Sequence, residues 1–183
     1  MMTPKFVVWF NEVDKEDIAT VGGKGANLGE MTKAGFPVPP GFIVTANAYR
    51  HFLDVTHIRS KIESALHGLD VSNSANLGIA SKKIITLITR SEFPKEIAHE
   101  IIAAYFRLDE GLLKHASVAV RSSATAEDLP GASFAGQQET YLNVYGEANL
   151  IEKIKEAWAS LFTARAIFYR ATNKFDHFKV ALS

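Results

Sequence analysis

Apolar residues follow two rhythms along this chain. The run KFVVWF, residues 5–10, is continuous and rich in β-branched and aromatic side chains, which predicts a short buried strand near the start. VGGKGANLGEM, Val21 to Met31, then sets four glycines around one lysine and reads as a glycine loop opening into a helix. Leu28 and Met31 share a face of that helix, and Gly35 with Pro37 just beyond supplies the stop signal. PVPPGFIVT gives a proline-stiffened entry into a strand from Phe42 to Val44, and Thr45 is placed to cap a helix on which Tyr49, Phe52 and Leu53 fall on one side. From about Ile58 to Leu108 the period is helical. Pro94 suits a first turn there, and Ile97, Ile101 and Leu108 line one side.

The period-2 pattern returns at SVAVRSSATAEDLPGASFAGQQETYLNV, Ser117 to Val144. Val118 and Val120 point one way and Ala119 and Arg121 the other, so a strand delivers the arginine to the face opposite its valines. A loop of small residues with Pro130, Gly131 and Gly136 follows. A second strand, Glu139 to Val144, alternates with Thr140, Leu142 and Val144 on one side. NLIEKIKEAWASLFTARAIFYRAT reads as one final helix carrying Leu150, Ile154, Trp158, Leu161, Arg165 and Phe168 near a single stripe. The sum is an α+β domain in one piece, without repeat, low-complexity tract or linker.

Composition narrows the function classes. The chain has 183 residues, 47% hydrophobic and 22% charged, which is ample for one core. Twenty basic residues balance twenty acidic ones, so no global field favours nucleic acid or an anionic membrane, and any anion must be held locally. With no cysteine, disulfides, thiolate metal sites and thiol catalysis are excluded. The start lacks the pattern of a signal peptide, and no apolar stretch reaches the roughly 20 residues of a membrane span. A soluble, cytoplasmic protein with neither nucleic acid nor membrane as partner is expected.

Two stretches carry candidate chemistry. At Gly22, Gly23, Lys24 and Gly25, bare backbone amides at a helix start with one cation would suit a phosphate. A tight strand-to-helix turn with a solvated lysine fits the motif equally, since neither the Walker A nor the dinucleotide spacing is present. Arg121 would clamp a phosphate bidentately or form a structural ion pair with Glu127, Asp128 or Glu139, and taken alone the ion pair is the commoner case. GASFAGQ would be a lid over a phosphate or a plain surface turn. The six histidines, His51, His57, His67, His99, His115 and His177, show no metal-ligand spacing and read as surface or packing residues. The Trp158 stripe reads as core and EVDKED as a solvated charged face.

GGKGANLGEMTKAGFPVPPGFIVTANAY, VAVRSSATAEDLPGASFAGQQETYLNV and WASLFTARAIFYR, in that order, resemble the N-terminal nucleotide-binding region of the phosphoenolpyruvate synthases, or pyruvate, water dikinases. The likeness runs from about Trp9 to the last residue. Pyruvate phosphate dikinases and rifampicin phosphotransferases share the region, although the phosphate-using dikinases carry a methionine-rich loop where this chain has ATAEDLPGASFAGQ. The resemblance implies the N-terminal subdomain of an ATP-grasp fold, spanning residues 1–183 and incomplete. It implies that Lys24 and Arg121 contact the phosphates of ATP, Arg121 in a catalytic role as well, with Gly22, Gly23, Gly136 and Thr140 also at the nucleotide.

In the family, ATP phosphorylates a histidine on a swivelling domain, releasing AMP and phosphate, and the phosphohistidine converts pyruvate to phosphoenolpyruvate in a third domain. The Mg2+ ligands, most of the adenine pocket, the phosphohistidine and the pyruvate site would then lie in domains beyond FDHFKVALS, which itself reads as the start of another strand. The resemblance thus makes ATP, the remaining domains of the same enzyme and, through them, pyruvate the partners. The isolated chain is expected to be inactive, with an exposed apolar surface that would drive dimer formation. A rifampicin phosphotransferase and a stand-alone nucleotide- or partner-binding module are the alternatives.

Overall fold

The computed structural model describes residues 5–111, 117–125 and 139–183, with the side chains of 109–111 excluded. The predicted opening strand is β1 (Val7–Trp9), and it pairs antiparallel with β2 (Phe42–Val44) in the register Val7↔Val44, Val8↔Ile43, Trp9↔Phe42. Between them runs α1 (Ile18–Lys33). Alternation sends Val8 and Ile43 to one face of this small sheet, where they pack with Val13, Val21 and Ala26 under α1. Val7, Phe42 and Val44 face the other way, into the main core.

α1 departs from its expected form. The glycine stretch is not a loop ahead of a helix: it lies within α1, whose helical path breaks at Gly22 alone (φ 66°, ψ 172°) and resumes at Gly23. The inward face is Val21, Gly25, Ala26 and Gly29 rather than Leu28 and Met31, and Met31 is exposed. The cause is close packing, because a Cβ at Gly29 would stand 2.2 Å from the Val13 carbonyl oxygen. The expected stop is met: the Phe36 amide donates to Met31 O and the Gly35 amide to Thr32 O, with Gly35 at φ 79°, the bond pattern of a Schellman cap.

The main core is built by α2 (Ala46–Val55), α3 (Arg59–Leu66), α4 (Ser74–Arg90), α5 (Lys95–Gly111), α6 (Glu147–Ala159) and α7 (Ala164–Thr172). The predicted faces are buried: Tyr49, Phe52 and Leu53 on α2, and Ile97, Ile101 and Leu108 on α5. Thr45 stands at the α2 N-cap, yet its hydroxyl donates to Lys5 O at 2.8 Å instead of capping the helix. Trp158 sits at the centre, with its ring 5.7 Å from Tyr49, 5.2 Å from Phe52 and 5.5 Å from Phe93, the last stacked, so it is core as read.

The final helix is two helices, which corrects the single stripe. A 3-10 turn, Ser160–Phe162, ends α6, and the Thr163 side chain caps α7 by accepting from the Ala166 amide. The break resets the helical phase. Leu150, Ile154, Trp158 and Leu161 are buried as expected, but beyond it Ile167 and Arg170 turn inward while Arg165 and Phe168 are exposed. Buried Arg170 donates to Leu161 O and, from Nε, to Nδ1 of His177 at 3.0 Å, which ties α7 to the turn that follows it.

β3 (Val118–Arg121) and β4 (Thr140–Val144) form a second antiparallel pair. Val118, Val120, Tyr141 and Val144 face the main core. Thr140, Leu142 and Val144 do not share a side, because the register shifts between Val118↔Val144 and Val120↔Tyr141. Asn143, at φ 55°, takes up the extra residue of a β-bulge and turns Val144 inward while Thr140 and Leu142 stay outside. EVDKED is more structured than expected. Asp14 accepts from the Glu16 amide and pairs with Lys33 at 2.8 Å, and Glu12 accepts from the Trp9 amide at 2.7 Å. Among the described residues no helix is long and apolar enough to cross a membrane.

Candidate functional site

The small layer under α1 meets the large core at the end of β3, and there the two candidate stretches come together. β3 carries Arg121 outward, and its alignment with Thr140 places both side chains on the outer face of the β3–β4 pair. Both residues are exposed, and among the described residues no carboxylate pairs with Arg121, so the Glu139 ion pair is not formed. Glu127, Asp128 and Gly136, with all of GASFAGQ, the stretch expected to be a lid or a surface turn, lie outside the described residues.

The two residues after Arg121 turn the chain inward. The Ser122 amide and hydroxyl both donate to Glu139 O, at 3.1 and 3.3 Å, and the hydroxyl accepts from the Glu139 amide at 3.0 Å. Buried Ser123 pairs its backbone with Ser183: the Ser123 amide donates to Ser183 O at 3.0 Å and Ser183 returns the bond at 2.9 Å. An isolated bridge between Ala124 and Leu182 continues the pairing, but FDHFKVALS forms no strand beyond it: Asp176 to Lys179 turn the chain instead.

Ser123 meets the glycine stretch directly. Its Oγ accepts from the Lys24 amide at 3.1 Å and the Gly25 amide at 3.4 Å and donates to Val21 O at 3.2 Å. Gly22 allows this approach, since a Cβ there would lie 2.3 Å from Ser123 Oγ, and its φ belongs to glycine in any case. The Lys24 side chain reaches the same place: Nζ donates to the carbonyl of Ser122, the residue after Arg121, at 3.3 Å. Gly22, Gly23 and Gly25 are buried and Lys24 is half-buried.

This geometry changes the phosphate-cradle reading in one respect. The amides of Lys24 and Gly25, which a bare helix start would offer to an oxyanion, are occupied by a serine hydroxyl. The two expected phosphate contacts differ in setting: the Lys24 side chain is half-buried against Ser122 O, and Arg121 is exposed on the outer face of β3. Residue-type reasoning passed over Ser122, Ser123 and Ser183; the only signal was two small hydroxyl residues directly after a strand, at the point where a chain turns and its amides need partners.

Two other features lie apart from these residues. A shallow groove is lined by Ile79, Lys82, Lys83, Thr86, Leu87, Arg90 and Ser91 along α4 and contains none of the candidate residues. Of the histidines, His51 pairs with Glu96 at 2.7 Å and His177 accepts from Arg170, as packing and surface residues do. Among the described residues no three His, Asp or Glu side chains gather as a metal site.

Comparison with known proteins converges on one family. Residues 18–183 match the family described as pyruvate phosphate dikinase, AMP/ATP-binding domain. The chain is 54% identical over 180 residues to a probable phosphoenolpyruvate synthase of Methanocaldococcus jannaschii, covering 98% of this chain and 15% of that protein. It is 47% identical over 215 residues to the phosphoenolpyruvate synthase of Pyrococcus furiosus, covering all of this chain and 26% of that one. With the phosphoenolpyruvate synthase of Aquifex aeolicus, identity is 50% over 182 residues, 97% of this chain and 21% of the relative. The chain thus spans between 15% and 26% of the length of these relatives.

Proposed function

The chain belongs to the pyruvate phosphate dikinase AMP/ATP-binding domain family, and from that premise we propose that it is the N-terminal ATP-grasp subdomain of a phosphoenolpyruvate synthase. The whole enzyme would convert ATP, pyruvate and water to AMP, phosphoenolpyruvate and phosphate through a phosphohistidine on another domain. The observation that carries this reading is the meeting of Lys24 with the end of β3, where Nζ rests on Ser122 O, one residue from Arg121. Two cations far apart in sequence, one exposed at the end of β3 and the other donating to the carbonyl of the next residue, suit a polyphosphate, which needs charge from more than one side.

In this reading Lys24 and Arg121 hold the phosphate tail, and Arg121 also stabilises charge on the phosphoryl group in transit. Thr140, aligned with Arg121, would meet the nucleotide from the same outer face, and Gly136 from the loop outside the described residues. Gly22 and Gly23 serve by bringing Lys24 close to β3. Mg2+ would be held by other domains of the enzyme, as the family resemblance implies. The relatives' names favour pyruvate over rifampicin as acceptor. The site lies in a domain without a membrane-crossing helix among its described residues, and a cytoplasmic location accords with the reaction.

A half-site in a solvated groove screens its charges, so the chain alone should bind ATP weakly and turn nothing over. The test is AMP formation with ATP and pyruvate. The proposal expects pyruvate-dependent AMP from the multidomain protein and none from residues 1–183. Pyruvate-dependent AMP from the 183-residue chain, or none from the multidomain protein, would contradict it.

A further inference from the structure

We infer that Ser123 is a positioning residue for Lys24, a role that rests on reading Lys24 as the contact to an anionic phosphate. One hydroxyl spans the break in α1. It donates to Val21 O, which closes the turn before Gly22, and accepts from the amides of Lys24 and Gly25, which open the helix after it. The cap comes from far along the chain, since Lys24 and Ser123 are 99 positions apart.

The hydroxyl is itself held in place. Ser123 is buried, its backbone is paired in both directions with Ser183, and Ser183 Oγ also donates to Val21 O at 2.5 Å. The Lys24 backbone is therefore referred to β3 through one oxygen, and its side chain to β3 through Ser122 O at 3.3 Å. Lys24 is anchored at both ends to the strand that presents Arg121, which sets the spacing of the two cations.

This arrangement differs from a simple stabilising contact. Removing the Ser123 hydroxyl leaves both charges in the chain, so a loss of anion affinity would report their placement. It also differs from direct ligand contact, because the hydroxyl's donor and acceptor capacity are already engaged by Val21, Lys24 and Gly25.

The test compares wild type with Ser123→Ala, Ser123→Thr and Ser123→Cys in the intact multidomain protein, by hydrogen exchange of the peptide Val21–Met31, by titration with ATP and by urea unfolding. Loss of the three Ser123 Oγ hydrogen bonds in Ser123→Ala should speed exchange in that peptide and weaken ATP binding roughly tenfold, while peptides of α4 and α5 keep their protection. Ser123→Thr restores the hydroxyl and should recover most of both. If Ser123→Ala does not fold, Ser123→Cys takes its place, with similar shape and a weak acceptor. Wild-type exchange and wild-type ATP affinity in the alanine or cysteine variant would overturn the inference, as would a folded threonine variant no better than alanine. If wild type itself binds no ATP, the proposed function fails, and exchange at Val21–Met31 alone then decides the positioning role.

Discussion

Substituting Gly22 with alanine should damage this protein far more than its size suggests. At φ 66° and ψ 172° the residue occupies backbone space that is essentially glycine's, and holding alanine there costs about 1–3 kcal/mol. The added methyl would also stand 2.3 Å from Ser123 Oγ and 2.8 Å from Ser123 O, and the second of these is backbone tied into the Ser183 pairing. Overpacking of that kind adds about 1–3 kcal/mol, so the total is about 2–6 kcal/mol. Gly78 is the internal control: it lies inside α4 with nothing within 4 Å of the point a Cβ would occupy, and Gly78→Ala should stabilise by about 0.5–1 kcal/mol. Urea unfolding midpoints, compared at equal m-values, measure both. A Gly22→Ala variant within about 0.5 kcal/mol of wild type would refute the account of the α1 break, because strain and clash would both have to be absent.

Trp158→Ala should cost about 3–5 kcal/mol in the same assay, since the indole is buried among Tyr49, Phe52 and Phe93; a loss under about 1 kcal/mol would mean that this cluster is not the centre of the core. A pH effect follows from His177, whose pKa burial and then the Arg170 charge lower from 6.5 to about 4. The neutral ring is favoured in the folded state, so its contribution is complete above pH 6.5 and is lost as pH falls toward about 4. His177→Asn keeps an acceptor for Arg170 without titrating and should flatten unfolding stability across that window; an unchanged slope would sink the assignment.

Much of this fold is legible in the residue pattern, and the exceptions have local physical causes. The stripes of α2 and α5 read correctly because burial of Phe52, Ile97 and Ile101 needs only helical spacing. The single final helix failed because Thr163 caps a new helix and resets the phase, a competition between capping and periodicity that apolar spacing does not reveal. Asn143 hides a bulge in what reads as clean alternation. At the site, the residue types of Lys24 and Arg121 were visible, and the bond from Lys24 Nζ to Ser122 O, next to Arg121 in the chain, was not. The cap on Lys24 and Gly25 comes from a residue beyond the end of β3, so no local pattern around the glycines records it.

The central claim is that Lys24 and Arg121 serve one nucleotide site, and ATP titration of Lys24→Ala and Arg121→Ala in the multidomain protein tests it most directly. Each substitution removes hydrogen bonds from a charged group worth about 1.5–3 kcal/mol, so each should weaken ATP binding roughly ten- to a hundredfold with the fold intact. Wild-type ATP affinity in either folded variant would contradict the claim.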